Sequence, residues 1–124
     1  MLFKNILLVG FGGALGSICR YLGHKYLLQL YPHSFPIGTF IVNILGCFLI
    51  GLFFGLAGKH EYFTPDLRLL LMTGFCGGFT TFSAFTLEGM QLLNQQRFLL
   101  FILYIVLSVL LGLMATFTGV WLTR

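Results

Sequence analysis

The sequence predicts an all-α membrane protein with four transmembrane helices, the third of which is broken in mid-membrane. Of its 124 residues, 58% are hydrophobic and only 8% are charged, a composition that excludes an ordinary soluble domain. Four apolar stretches, each near or above the roughly 20 residues that a spanning helix needs, cover Phe3–Tyr31, Ile37–Gly58, Leu67–Asn94 and Phe98–Leu122. The predicted connections are Pro32–Pro36, Lys59–Asp66 and Gln95–Arg97. They are too short for an extramembrane domain, so residues 1–124 are predicted to form a single domain that acts within the membrane.

Composition and motifs exclude two classes of function. The basic residues are scattered, without the basic tract that nucleic-acid binding favours. The chain offers no nucleophile and base pair, cofactor motif or extramembrane pocket, so we expect no enzyme activity. Cys19, Cys47 and Cys76 lie in apolar runs without metal-ligand spacing, which predicts buried free thiols.

The first span carries glycines and one cation on a single face. Gly12, Gly16 and Arg20 recur every four residues, which predicts a close helix contact beside a positive charge. Arg20 can attract anions or hold carbonyl oxygens and interfacial waters. Alternatively, its long side chain reaches the membrane boundary and has only a structural role.

The charges of the loops leave the orientation in the membrane open. One side carries Lys4, Lys59, Arg68 and Arg124, and the other carries Lys25 and Arg97, with Arg20 deeper in the first span. Basic residues in short loops set orientation, and this bias is weak. Insertion in both orientations would suit an antiparallel homodimer, whereas insertion in one orientation remains the alternative.

The second span presents two polar side chains on one face. Thr39 and Asn43 are one helical turn apart. Asn43 has two N–H donors that need partners in hydrocarbon. The partner is either another helix or a permeating species, and the sequence does not decide between them.

The third span contains a segment that does not favour a continuous helix. Gly74–Phe85 lies within the charge-free run Leu69–Leu87. It contains three glycines and three hydroxyl residues: Gly74, Gly77, Gly78, Thr80, Thr81 and Ser83. Glycine costs about 1 kcal/mol relative to alanine in a helix interior, and hydroxyls compete for backbone partners. We therefore predict a break whose free carbonyls can bind an ion; a closely packed glycine helix is the alternative.

Two aromatic rings and a carboxylate follow this segment. Phe82, Phe85 and Glu88 are three residues apart and therefore share a helix face. Phenylalanine has an electropositive ring edge that can guide a small anion, although such pairs usually serve only packing. Glu88 lies near the third connection, where it either ends a polar pathway or reaches the interface.

The fourth span carries a row of hydroxyl groups. Tyr104, Ser108, Gly112 and Thr116 recur every four residues, so the row has a gap at the glycine. Neutral donors can replace part of an anion's hydration shell without trapping the anion. The alternative is that the hydroxyls bond to the preceding turn of their own helix.

Three motifs resemble those of the Fluc (CrcB-type) fluoride channels of bacteria and some other microbes. They are GGALGSICRY at Gly12–Tyr21, PIGTFIVNILG at Pro36–Gly46 and TGFCGGFTTFSAF at Thr73–Phe85. They occur in the family's order and on the corresponding spans, and the resemblance extends over essentially the whole chain. The third motif is the most specific of them.

The resemblance implies a dual-topology, antiparallel homodimer with two anion pores, in which the broken third helices cross at the centre. It also implies a structural Na⁺ at this crossing, bound by backbone carbonyls of Gly77 and Thr80 from both subunits. Arg20 would correspond to a vestibule arginine and Asn43 to a fluoride contact. The remaining pore residues would be Phe82, Phe85, Glu88, Tyr104, Ser108 and Thr116. Gly112 departs from the hydroxyl residue of some relatives.

The implied function is a fluoride-selective channel that exports fluoride passively across a bacterial inner membrane. A four-span proton-coupled drug exporter is one alternative, but such exporters place a carboxylate in the first span, where this chain has Arg20. The other alternative is a non-transporting membrane assembly subunit, whose glycines would serve packing alone.

Overall fold

The computed structural model describes residues 1–30 and 35–124, and its regular elements are all helices. They are α1 (Leu2–Leu30), α2 (Ile37–Lys59), α3 (Pro65–Leu67), a π-helix (Arg68–Cys76), α4 (Gly77–Phe79), α5 (Phe82–Asn94) and α6 (Phe98–Thr123). The predicted end of the first span at Tyr31, and the part of the first connection that begins at Pro32, lie outside the described residues.

The predicted membrane spans are confirmed. The described residues contain four helical segments long and apolar enough to cross a membrane: Leu2–Leu27, Ile37–Lys59, Pro65–Asn94 and Phe98–Thr123. The third begins slightly earlier than predicted because Thr64 caps it. The hydroxyl of Thr64 accepts a hydrogen bond from the N–H of Leu67 at 3.3 Å, and Pro65 occupies a first-turn position that needs no N–H partner.

Glycines bring α2 and α6 into backbone contact. A Cβ atom at Gly119 would lie 2.5 Å from the carbonyl oxygen of Phe48, and one at Gly51 would lie 3.0 Å from the carbonyl carbon of Thr116. No side chain fits between the helices at these points. The hydrogen atoms of glycine therefore set the spacing of this pair, as is usual where helices associate in lipid.

The predicted glycine face of α1 packs in the same way against the first half of the third span. A Cβ at Gly16 would lie 2.8 Å from the backbone nitrogen of Phe79, and one at Gly78 would lie 2.5 Å from the carbonyl oxygen of Gly13. The predicted close contact at Gly12 and Gly16 is therefore confirmed. It places Arg20, one turn further along α1, near the end of α4.

The cysteine prediction is only partly correct. All three thiols are free, and Cys76 is buried, but Cys47 is half-buried and Cys19 is exposed. Cys19 lies on an outer face of α1, among large apolar side chains such as Leu15 and Ile18 that are also exposed. An apolar run places a residue in the membrane, but it does not distinguish the lipid-facing surface from the protein core.

Candidate functional site

Two residues with extended backbone separate α4 from α5. Thr80 has φ -87° and ψ 157°, and Thr81 has φ -148° and ψ 121°. In a continuous helix the N–H groups of Thr81 and Ala84 would bond to the carbonyls of Gly77 and Thr80. Instead, the Thr81 N–H donates to Asn43 Oδ1 at 2.8 Å, and the Ala84 N–H donates to Thr81 Oγ1 at 3.2 Å. The carbonyl oxygens of Gly77 and Thr80 are thereby released from their helical donors.

Asn43, on α2, binds this segment through both the oxygen and the nitrogen of its side-chain amide. Its Oδ1 accepts from the Thr81 N–H, and its Nδ2 donates to the Thr81 carbonyl oxygen at 3.0 Å. This pair satisfies two backbone groups that lie outside a helix. The amide has two N–H donors, so one remains outside this pair for another acceptor.

Arg20 satisfies another carbonyl beside the same segment. Its Nε donates to the Gly78 carbonyl oxygen at 3.0 Å, which matches the alternative in which this side chain holds a carbonyl. Arg20 also lines a hollow together with Tyr21, His24 and Lys25. Arg20 and Lys25 therefore bring two positive charges to this hollow, whereas Lys4, at the other end of α1, pairs with Asp66.

The interrupted segment faces a cavity whose walls come from α2, the π-helix, the start of α5 and α6. The cavity has a volume of about 430 Å³. Its polar lining includes Asn43, Thr80, Thr81 and Ser108, and the rings of Phe82 and Phe85 also face it. Apolar side chains, among them Ile50, Met72 and Val109, form much of the remaining wall.

The two phenylalanines have different surroundings. Their ring centroids are 5.8 Å apart at an interplanar angle of 43°. The Phe85 ring also contacts Tyr104, at 5.0 Å between centroids. Phe82, by contrast, is 76% exposed. Its ring therefore is not part of the packed core of this chain.

Two hydroxyl groups on α6 are buried without a partner among the described residues. They belong to Tyr104, which is 0% exposed, and to Ser108. Leaving a buried hydroxyl unpaired costs about 1–3 kcal/mol. Ser108 lines the cavity beside Asn43, so its hydroxyl is available to an acceptor that enters there.

Glu88 and Thr116 are tied to α2 and are not among the residues that line the cavity. Thr39 Oγ1 donates to Glu88 Oε1 at 2.5 Å, and Thr116 Oγ1 donates to the Cys47 carbonyl oxygen at 3.0 Å. The Thr116 hydroxyl therefore bonds to a neighbouring helix and not to the preceding turn of its own. The structure brings together Asn43, Phe82, Phe85 and Ser108 and leaves Arg20, Glu88, Tyr104 and Thr116 around them.

Sequence reasoning did not assign Thr81 or Thr39 to the site. Thr81 is the partner of Asn43 and also caps α5, and Thr39 is the partner of Glu88. A signal existed for Thr39, because it lies one turn before Asn43 on the same face. For Thr81 the signal was weaker, since neighbouring threonines do not reveal which hydroxyl caps the following helix.

The donor atoms beside the interruption suit a hard cation. The described residues contain no group of three or more histidine, cysteine, aspartate or glutamate side chains that could bind a metal. The released carbonyl oxygens of Gly77 and Thr80 are ligands of the kind that hard cations prefer. Broken membrane helices commonly use such unwound carbonyls to bind Na⁺.

Four spans with a cavity lined by amide, hydroxyl and aromatic groups define a multi-pass membrane protein. Residues 7–120 match the family of CrcB-like proteins, described as Camphor Resistance (CrcB). The chain belongs to this family.

Relatives of nearly the same length bear a common name. A protein of Flavobacterium psychrophilum is 49% identical over 98% of both chains. One of Leptospira interrogans is 45% identical over 98% of this chain and 95% of its own, and one of Phocaeicola vulgatus is 44% identical over 98% and 99%. Each is named "Fluoride-specific ion channel FluC".

Proposed function

We propose that this protein is a subunit of a fluoride-selective channel through which fluoride leaves the cell passively, so that cytoplasmic fluoride falls. The names of its near full-length relatives support this function. The observation that carries it is the cavity that joins the Asn43 amide, the rings of Phe82 and Phe85 and the hydroxyl of Ser108, which has no hydrogen-bond partner among the described residues. These groups are neutral donors and electropositive ring edges, which suit an anion in transit.

The chemistry of this cavity favours fluoride over larger halides. Fluoride is small and strongly hydrated, so it needs several donors close together to replace the water that it loses. The amide of Asn43 and the hydroxyl of Ser108 supply such donors in a cavity whose wall is mostly apolar. Neither carries a charge, so the ion can leave as readily as it enters.

Residues around the cavity extend the polar route in this proposal. Arg20 attracts anions to a vestibule, and its guanidinium retains donors beyond the Nε that bonds to Gly78. Tyr104 and Thr116 continue the row of hydroxyls on α6 on either side of Ser108. Glu88, held by Thr39, lies at one end of the polar track.

The proposed assembly is an antiparallel homodimer with two pores, each lined by both subunits. The 76% exposure of Phe82 supports it, because a partner would cover this ring. Gly77 is also exposed, and among the described residues a Cβ there would meet no atom within 4 Å. A facing backbone could therefore approach at Gly77, and the interrupted third spans would cross at mid-membrane. The balanced loop charges are compatible with insertion in both orientations.

A structural Na⁺ belongs to this proposal. The carbonyl oxygens of Gly77 and Thr80 from both subunits would hold it, and the ion would offset the partial negative charges that meet where the third spans cross. Within each subunit, Asn43 and Arg20 already satisfy the neighbouring carbonyls of Thr81 and Gly78. We further propose that residues 1–124 form one domain in the bacterial inner membrane.

Fluoride efflux from liposomes that contain the purified protein tests the function. Release is followed with a fluoride electrode, beside matched chloride-loaded vesicles. Rapid fluoride release without chloride release supports the channel. If folded, dimeric protein releases neither ion, the channel proposal is wrong and an assembly subunit is favoured. Fluoride release only when a proton gradient is imposed would instead indicate a proton-coupled transporter.

Replacement of the cavity phenylalanines tests their role separately. Phe82→Ile and Phe85→Ile remove the ring edges while keeping apolar bulk, so each should lower fluoride efflux by about ten-fold or more while the dimer persists on size-exclusion chromatography. Phe117→Ile is the matched control, because Phe117 is 68% exposed on α6 and lies away from this cavity. Wild-type efflux in both cavity variants would show that the rings serve packing alone.

A further inference from the structure

The row of hydroxyls on α6 is interrupted at a glycine, and a thiol from α2 occupies the space beside it. Gly112 has no side chain to offer a donor between Ser108 and Thr116. A Cβ atom at Gly112 would lie 3.3 Å from Cys47 Sγ, which is the nearest atom. The sulfur is therefore in close contact with the place where a side chain at position 112 would begin.

The position of Cys47 relative to the row is fixed by a hydrogen bond. Its carbonyl oxygen accepts from Thr116 Oγ1, the next hydroxyl after Gly112, at 3.0 Å. Around this point α2 and α6 are held in backbone contact by Gly51, so they cannot slide past each other easily. The half-buried thiol of Cys47 is thus aligned with the gap in the row.

A second observation points to a ligand at the same place. Cys47 lines the cavity together with Ser108, the residue one turn before Gly112. Among the described residues, the hydroxyl of Ser108 has no hydrogen-bond partner, nor does that of the fully buried Tyr104. A run of buried donors that lack acceptors is expected where an acceptor passes through.

We infer that the Cys47 thiol serves as the donor that Gly112 lacks, so that α2 and α6 together place the S–H group of Cys47 after the hydroxyls of Tyr104 and Ser108 as donors for the anion. This inference rests on the proposed fluoride channel. An S–H group is a weak, neutral donor, so it can bridge the gap without trapping the ion. It makes Cys47 a contributor to permeation, whereas Cys19, on an exposed face of α1, has no such role.

Two substitutions of Cys47 distinguish the effect of its S–H donor from the effect of its volume. Cys47→Ala removes the donor and should lower fluoride efflux about five-fold, which corresponds to about 1 kcal/mol. Cys47→Ser is nearly as small as alanine but retains a donor, so its efflux should equal or exceed that of the wild type. Cys19→Ala, on an exposed face of α1, is the matched control and should leave efflux unchanged.

A sharper test moves the donor from Cys47 on α2 to position 112 on α6. Gly112→Ser alone should lower efflux, because its side chain would crowd Cys47 Sγ. The double variant Cys47→Ala/Gly112→Ser frees this space and moves the donor to α6, so efflux should recover to within about two-fold of the wild type. Efflux is compared per folded dimer, measured by size-exclusion chromatography.

Two results would overturn the inference. One is wild-type efflux in Cys47→Ala. The other is an equal loss in Cys47→Ser and Cys47→Ala, which would indicate that the volume of the thiol matters and not its hydrogen. Either result leaves the channel proposal standing if wild-type protein releases fluoride, whereas a wild-type protein that releases none removes the channel proposal itself.

Discussion

The contact between α2 and α6 and the segment between α4 and α5 are stabilised in opposite ways. At the first, Gly51 and Gly119 bring backbones together through van der Waals contact. At the second, Asn43 and Arg20 reach across from other helices to backbone groups of the interrupted span. Both regions lie within apolar spans. The first adds one side-chain hydrogen bond, from Thr116 Oγ1 to the Cys47 carbonyl oxygen, whereas polar side chains provide most of the support of the second.

This difference separates structural from functional positions. Small residues are sufficient to associate helices in lipid, and glycines set the spacing of the α2–α6 contact. A polar side chain within a membrane is costly unless it is satisfied, and an unbroken third helix would not need the support of Asn43. The concentration of such groups around Thr80 and Thr81 therefore indicates where the molecule does more than fold.

The largest effect is expected from removal of the support at Thr81. Asn43→Leu deprives the Thr81 N–H and carbonyl of their partner, and each loss costs about 1–3 kcal/mol. Fluoride efflux should fall roughly 100-fold, and the melting temperature of the purified protein should drop. Asn94→Leu, at the exposed end of α5, is the matched control. Unchanged efflux and melting temperature in Asn43→Leu would mean that this segment needs no side-chain support.

A single methyl group should test the glycine contact. Gly51→Ala places a Cβ against the backbone of Thr116, and we expect a loss of about 1–3 kcal/mol in stability. Gly58→Ala is the control on the same helix, because among the described residues its Cβ would meet nothing within 4 Å. Thermal unfolding in detergent measures both. Equal melting temperatures would show that α2 and α6 can separate without cost.

A smaller effect is expected at the bond between α2 and α5. Thr39→Val removes the donor that holds Glu88, so efflux should fall about five-fold. Thr118→Val provides the control, since the Thr118 hydroxyl bonds within its own helix to Met114. If the two variants conduct alike, the position of Glu88 does not affect permeation.

The smallest effect is expected at the ion pair that links α1 to α3. Lys4 Nζ lies 3.2 Å from Asp66 Oδ2, but the side chains are 57% and 50% exposed. Exposed pairs of this kind contribute less than about 1 kcal/mol. A double-mutant cycle with Lys4→Ala and Asp66→Ala should therefore give a small coupling energy that decreases further with salt. A large coupling energy would mean that this pair, and not the glycine contact, holds α1 in place.

The spans were predictable because their signal is simple. A run of apolar residues long enough to cross a bilayer has few alternatives, and the predicted ends that fall within the described residues agree with the structure to within a few residues. The π-helix at Arg68–Cys76 was not predicted, because the apolar pattern of this segment carries no signal for its wider turns. The exposure of Cys19 was also missed, since lipid-facing and buried residues are equally apolar in a membrane.

The sequence predicted most of the residues that belong to the candidate site, but it did not predict which of them bond to each other. The face shared by Thr39 and Asn43 followed from helical periodicity. Their partners, Glu88 and Thr81, depend on how α2 lies against the third span, which no local pattern encodes. The relation between Cys47 and Gly112 is of the same kind, because it joins positions on different helices.

The sequence by itself determined that the protein is a four-span membrane protein, where its glycine faces lie and which polar side chains enter the membrane. These properties depend on hydrophobicity and periodicity, which are local. The tertiary structure alone decided that Asn43 bonds to Thr81, that Phe82 is left exposed beside a cavity and that Cys47 fills the space beside Gly112. Such relations depend on the separation and register of packed helices, which are set by many contacts acting together.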